Sequence, residues 1–189
     1  MIDQALQFVL GELNTYFDAQ FPAQEKVAVL ASLSEPSGAV PPGIENKLVL
    51  SLVNLERETV VGSTGFVARA GNAYAKTNPV LYLNLYVLLS ASFAGNYGDA
   101  LKMLASAMGF LQAKQYFDAQ NSATFPRNMS QLTMELVSLD LAELSTMWAM
   151  LGANYLPSAL YKLRMITMQE GWVIHPIPTL EVATPKVGA

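Results

Sequence analysis

The chain contains no cysteine and a single histidine. The first absence excludes disulfide frameworks, thiolate metal sites and thiol nucleophiles, and it makes folding independent of the redox compartment. The second leaves little for acid-base chemistry, because His175 stands in a proline-flanked tail where a rigid site is hard to build. Charge is scarce as well: 14% of residues are charged, against ~25% in soluble domains. With 11 basic and 15 acidic residues the net charge is -4, so the basic footprint that a phosphate backbone requires is missing and nucleic acid is not an expected partner. The apolar run at residues 78–93 is too short for a membrane span, which takes ~20 residues. At the N-terminus, MIDQALQFVLGELNTYF carries acids and not a basic stretch before an apolar core, so no secretory signal is expected.

What is present is apolar. Hydrophobic residues make up 52% of 189, and one domain of that length buries roughly 70% of its unfolded surface. A surface this short of charge implies that part of it is not solvated in the working state. That favours an oligomer or a particle subunit over a compact monomer with a polar, uncharged surface.

The run NPVLYLNLYVLLSASF (residues 78–93) reads as the central strand of a sheet apolar on both faces. Leu81, Leu83, Leu85, Val87 and Leu89 point one way, and Tyr82, Asn84, Tyr86 and Leu88 the other. The Leu face is expected to lie under three helices, and the Tyr82, Asn84 and Tyr86 face under loops or at a subunit boundary. Three- and four-residue steps through Ile2, Ala5, Leu6, Val9, Leu13, Tyr16 and Phe17 predict the first helix, over residues 2–18. Strands are predicted at residues 26–33, 47–56, 131–139 and 158–168, with a turn-rich loop at 34–44. Asn96 with Asp99, and Asp140 with Glu143, are helix-capping pairs. The first opens a stripe of Leu101, Leu104, Ala105, Met108 and Leu111, and the second one of Leu141, Leu144, Trp148, Leu151 and Tyr155, closed by Gly152 and Pro157.

Residues 57–77 lose periodicity and gain Gly62, Gly65 and Gly71, which predicts a long loop, functional or disordered. The prolines at 176, 178 and 185 predict an extended C-terminal arm from Trp172 onward. The sum is an α+β domain over residues 1–171, a single mixed and largely antiparallel β-sheet flanked by about three helices, with an arm at 172–189.

Chemistry finds few handles. Gly62-Ser63-Thr64-Gly65 lacks the lysine and the spacing of a phosphate-binding loop. Glu45, Glu56, Glu58 and Glu135 hold no spacing that singles out a catalytic pair, and charges at strand ends are the plainer reading; a carboxylate hydrolase would need a pocket of converging acids. Met103, Met108, Met147 and Met150 fit core filling or an adaptable surface. Lys162 and Arg164 share one strand face, as a partner contact or a solvated one.

The stretches ENKLVLSLVNLERE, NPVLYLNLYVLLSA, NYGDALKMLASAMGFLQ and LTMELVSLDLAELSTMWAMLGANYLPSALYKLRM, in this order and spacing, resemble the tail-terminator, or cap, proteins of extracellular contractile injection systems of the antifeeding-prophage and virulence-cassette type. Leu89, Leu111 and Ala123 depart conservatively from the pattern. The resemblance implies a phage-tail-like fold and a hexameric ring on the distal end of the inner tube and sheath that stops their polymerisation. It implies no catalysis, no cofactor and no bound metal. The implied partners are further copies of the chain and the tube and sheath proteins; the implied setting is a particle assembled in the bacterial cytoplasm and released or anchored. Many relatives continue into a C-terminal domain that this sequence is expected to lack, and that domain's duties do not transfer. Candidate subunit or partner contacts are Arg57, Arg69, Tyr74, Lys162, Arg164, Trp172, His175 and Leu180. The competing reading is a small monomeric ligand-binding or chaperone-like domain that uses its Met and aromatic surface.

Overall fold

A computed structural model describes residues 1–21, 25–58, 67–70, 73–77, 81–168 and 173–177. Helix α1 (Ile2–Gln20) carries Ala5, Leu6, Val9, Leu13 and Phe17 on one buried stripe. Strand β1 (Ala28–Leu30) is shorter than the predicted one. Strands β2 (Lys47–Arg57) and β5 (Leu81–Ser92) follow, then helix α2 (Tyr97–Ala113), strands β6 (Tyr116–Phe117) and β7 (Leu132–Val137), helix α3 (Leu141–Leu151) and strand β8 (Ser158–Met168). These strands form a six-stranded sheet in the order β1-β2-β5-β8-β7-β6. The β1–β2 pair is parallel and the rest are antiparallel. The sheet is therefore mixed and largely antiparallel, and β5 lies inside it, as its two apolar faces require.

The faces alternate residue by residue. Leu48, Leu50, Leu85, Val87, Leu89 and Leu163 pack with the stripes of α1 and α2. Val49, Leu88 and Leu160 pack instead with Met147 and Trp148 of α3 and with Leu33 and Ile44 of the preceding loop. This corrects the expected cover: two helices lie on the Leu face, and α3 crosses to the other. A stripe at helical spacing shows that a helix buries a side, not which sheet face receives it. Each of these fully buried side chains contributes about 1.5–3 kcal/mol.

The caps form as predicted. Asn96 accepts a hydrogen bond from the Asp99 N–H at 3.3 Å. Asp140 and Glu143 complete a reciprocal capping box, and Gly152 ends α3 at φ 63°. The α2 stripe is rotated from the predicted one: Ala100, Leu104, Ala107 and Leu111 are buried, while Leu101 is 44% exposed. Small alanines at two of the four positions let α2 approach the sheet closely. Leu141 and Tyr155, placed in the α3 stripe by spacing, are also exposed.

Residues 57–77 hold structure that periodicity did not reveal. Strands β3 (Val67–Ala70) and β4 (Ala73–Thr77) pair antiparallel, and β9 (Val173–Ile177) pairs with β4 on its other side. This second sheet has the order β3-β4-β9. It repeats the order of the chain segments in β2-β5-β8, and the register runs on from Tyr74↔Ile177 to Leu81↔Met168 to Leu85↔Leu163. The small sheet is thus built from the same three chain segments, in the same order, as β2, β5 and β8. Residues 173–177, expected as part of an extended arm, pair with β4 of their own chain.

Candidate interaction surface

On the α3 side of the sheet, the helix covers only the half nearest Leu88. The other half carries a ladder of charge built by the period-2 rule on adjacent strands. The end of β2 supplies Glu56, the residue just beyond it Glu58, β5 supplies Asn84 and Tyr86, and β8 supplies Lys162 and Arg164. Lys162 Nζ and the Tyr86 hydroxyl both donate to Glu56 Oε2, each at 2.9 Å, and the ammonium lies 5.3 Å from the Tyr86 ring centroid. Arg164 forks: Nη2 reaches Glu58 Oε2 at 3.1 Å and Nη1 reaches Glu135 Oε1, on β7, at 3.4 Å. Asn84 Nδ2 also donates to Glu58 Oε2, at 3.0 Å.

Burial separates the two rungs. The Glu58 side chain is 7% exposed and that of Glu56 47%, so the first ion pair is anchored and the second contributes little to stability. The Lys162 hydrogen bond, then that of Tyr86, holds the Glu56 carboxyl below its ordinary range, and the Glu56 bond pushes Lys162 up. The Glu58 bond, then the charge of Glu135, raises Arg164 in the same sense. The Glu56–Lys162 rung is charged at neutral pH.

Between this ladder and α3 runs an open groove of about 470 Å³. Val53, Tyr86, Met147, Met150 and Leu160 give it apolar walls, and Glu56 and Glu143 line it with charge. Met150 is 65% exposed. Of the methionines offered as filler or surface, Met147 is core, Met103 and Met108 pack partly buried against the other cluster, and Met150 is surface.

The edges of the large sheet are closed to further pairing. At β1, Asn14 of α1 takes both outward backbone groups of Ala28. At β6, only two residues long, Asn121 Nδ2 donates to the Tyr116 carbonyl at 3.0 Å. Such blocking is how native sheets avoid unwanted strand addition.

Of the contacts predicted from sequence, Lys162 and Arg164 come together in the ladder. Arg57 ends β2, paired with Leu83. Arg69 and Tyr74 are register partners across β3 and β4, and His175 is the partner of Lys76. Trp172 and Leu180 lie outside the described residues, as do Gly62-Ser63-Thr64-Gly65. Sequence reasoning noticed Glu56, Glu58 and Glu135 but had no means of joining them to β8. Glu45 stands apart, accepting from the Gly43 N–H. Among the described residues there is no group of three or more His, Asp or Glu placed to hold a metal, and no helix is long and apolar enough to cross a membrane.

This mixed sheet with helices on both faces resembles the fold of terminator caps of contractile injection systems. The chain belongs to the Pvc16 N-terminal domain family, whose model matches residues 3–177. Its fold is similar to that of the PVC sheath/tube terminator of an extracellular contractile injection system in the extended state, with a TM-score of 0.51 and 13% identity, covering 94% of this chain and 64% of that one. It is also similar to the tube-terminating cap of the anti-feeding prophage, with a TM-score of 0.54 and 14% identity, covering 93% and 60%. The chain thus spans less than two thirds of either. No curated protein matches it. The resemblance read from the sequence is one of family and fold, and the family match runs to residue 177, the end of β9.

Proposed function

We propose that this chain is a terminator subunit of a contractile injection particle, which caps the inner tube and sheath and stops their growth. The observation that carries the reading is the joint match of family and fold over nearly the whole chain, to a sheath/tube terminator and to a tube-terminating cap. The subunits form a hexameric ring, and the protein works by contact, without catalysis, cofactor or nucleic acid. Low charge supports this, since subunit contacts exclude charge from their cores. The blocked edges of the large sheet direct those contacts to its faces and to the small sheet. Arg57, Arg69, Tyr74 and His175, with the ladder of Lys162 and Arg164, are the proposed contact residues, and residues 172–189 take part from the C-terminal side.

Imaging of particles from a strain lacking the protein tests the reading. Overlong or unstable tubes and sheaths are expected; particles of normal length would overturn it. Native mass spectrometry of the purified chain, alone and with tube ends, separates a ring former from a persistent monomer that ignores tubes.

A further inference from the structure

The groove between α3 and the charged ladder has a composition that specifies its occupant. Its walls are apolar and adaptable, with Met147 at the base and Met150 at the rim. Its charge is one-sided. Glu56 and Glu143 are the charged side chains that line it. On the same side of the sheet Glu56, Glu58 and Glu135 share two cations, Lys162 and Arg164, and both cations are already engaged by carboxylates. Carboxylates are in excess here, as over the chain as a whole, with its net charge of -4.

We propose that the groove docks a segment of a partner protein in which an aliphatic side chain of leucine or methionine size stands next to a lysine or arginine. The aliphatic group enters between Met150, Val53 and Tyr86, and the cation meets Glu143 on the helix side or Glu56 on the strand side. An acidic segment would add charge of the sign already in excess there, and a wholly apolar one would cover the Glu143 carboxylate without supplying a cation. This deepens the terminator reading by giving the face and the chemistry of one of its contacts, and it rests on that reading for its biological partner.

A random peptide library displayed on phage and selected on the intact protein supplies the test. Enriched peptides should share an aliphatic residue adjacent to Lys or Arg. They should lose at least tenfold in affinity toward Met150→Glu and about threefold toward Glu143→Gln, with far-ultraviolet circular dichroism unchanged in both. Weakening by added salt is expected too. Enrichment of acidic or purely apolar peptides overturns the proposal, as does equal binding to Met150→Glu. If a second copy of this chain fills the groove, no peptide is enriched and Met150→Glu dissociates an oligomer, which also overturns it. None of these outcomes depends on capping activity, so the docking proposal and the terminator reading can fail separately.

Discussion

Asn14 holds Ala28 by both of its backbone groups: Asn14 Nδ2 donates to the Ala28 carbonyl and Asn14 Oδ1 accepts from the Ala28 N–H, each at 2.9 Å. Ladder bonds run from Leu48 N–H to Val27 and from Ala31 N–H to Leu50, so the Ala28 groups point away from β2 into the gap beneath α1. A carboxamide is the side chain that offers one donor and one acceptor at this spacing. It imitates a further strand and closes the edge.

Asn14→Ala should therefore be unusually costly for a polar-to-alanine change in a helix. Asn14 is 6% exposed and Ala28 is fully buried, so a donor and an acceptor are left without partners or water, at about 2–4 kcal/mol together. Asn14→Asp keeps the acceptor but sets a carboxylate against the Ala28 carbonyl, and should cost nearly as much. Urea denaturation checks both; a loss under about 1 kcal/mol for Asn14→Ala would contradict the clamp.

Arg164 supports two carboxylates of unequal burial, and the couplings should rank accordingly. The side chain of Glu58 is 7% exposed and that of Glu135 is 49%. A double-mutant cycle between Arg164→Ala and Glu58→Gln should give about 1–3 kcal/mol, against less than about 0.5 kcal/mol for Arg164→Ala with Glu135→Gln. Arg164→Lys should recover only part, because one ammonium cannot replace a fork aimed at two strands. Equal couplings would show the ladder to be a solvated face.

How much of this was legible follows from the kind of signal each part leaves. The central strand and the caps were readable because alternation and the pairs Asn96/Asp99 and Asp140/Glu143 act within a few residues. The hairpin of β3 and β4 was not, since Ala68, Ala70, Ala73 and Ala75 give it neither β-branched weight nor contrast between faces. The Gly71-Asn72 pair between those strands is its one local signal, and by composition it reads equally as loop. The ladder was half visible. Lys162 and Arg164 fall on one face by counting, but their partners Glu56 and Glu58 are both 106 residues away and depend on which strands are neighbours. Strand order leaves no mark in a single sequence.

Acid should weaken the fold through the exposed pairs first. The Glu56 carboxyl lies below its ordinary value of 4.5 because of Lys162, and Glu25 lies below the same value because of Lys47. A depressed carboxyl contributes stability that is fully present above its unfolded value and is lost as pH falls through the folded one. The melting temperature should accordingly be flat from about pH 7 to 5 and fall below about 4.5, and Glu56→Gln should make that fall shallower while changing little at pH 7. A variant with an acid limb as steep as the parent's would rule out the pair as a contributor. At the alkaline end the sign reverses: Lys162 is raised, so its contribution is lost only as pH climbs above its ordinary value of 10.5.

Lys114 is the clearest structural staple outside the sheet. Following α2, its ammonium donates to Glu12 Oε2 of α1 at 2.7 Å, to Ser122 Oγ at 2.8 Å and to the Asn121 carbonyl at 3.1 Å, and it lies 5.1 Å from the Phe117 ring centroid. The Lys114 and Glu12 side chains are 28% and 15% exposed, so the pair is neither freely solvated nor fully buried. Lys114→Met keeps the stem over Phe117 but leaves Glu12 with only long contacts to the Ser122 and Thr124 hydroxyls, at 3.4 Å each. The expected cost is about 1–3 kcal/mol. Amide exchange should accelerate at residues 118–125, next to the lost contacts, more than in β5. If the cost comes from stranding a carboxylate, adding Glu12→Leu to Lys114→Met should restore about half of it, because two apolar groups then replace the ion pair. A double variant less stable than Lys114→Met alone would show instead that Glu12 does its work through the hydroxyls of the 122–124 loop.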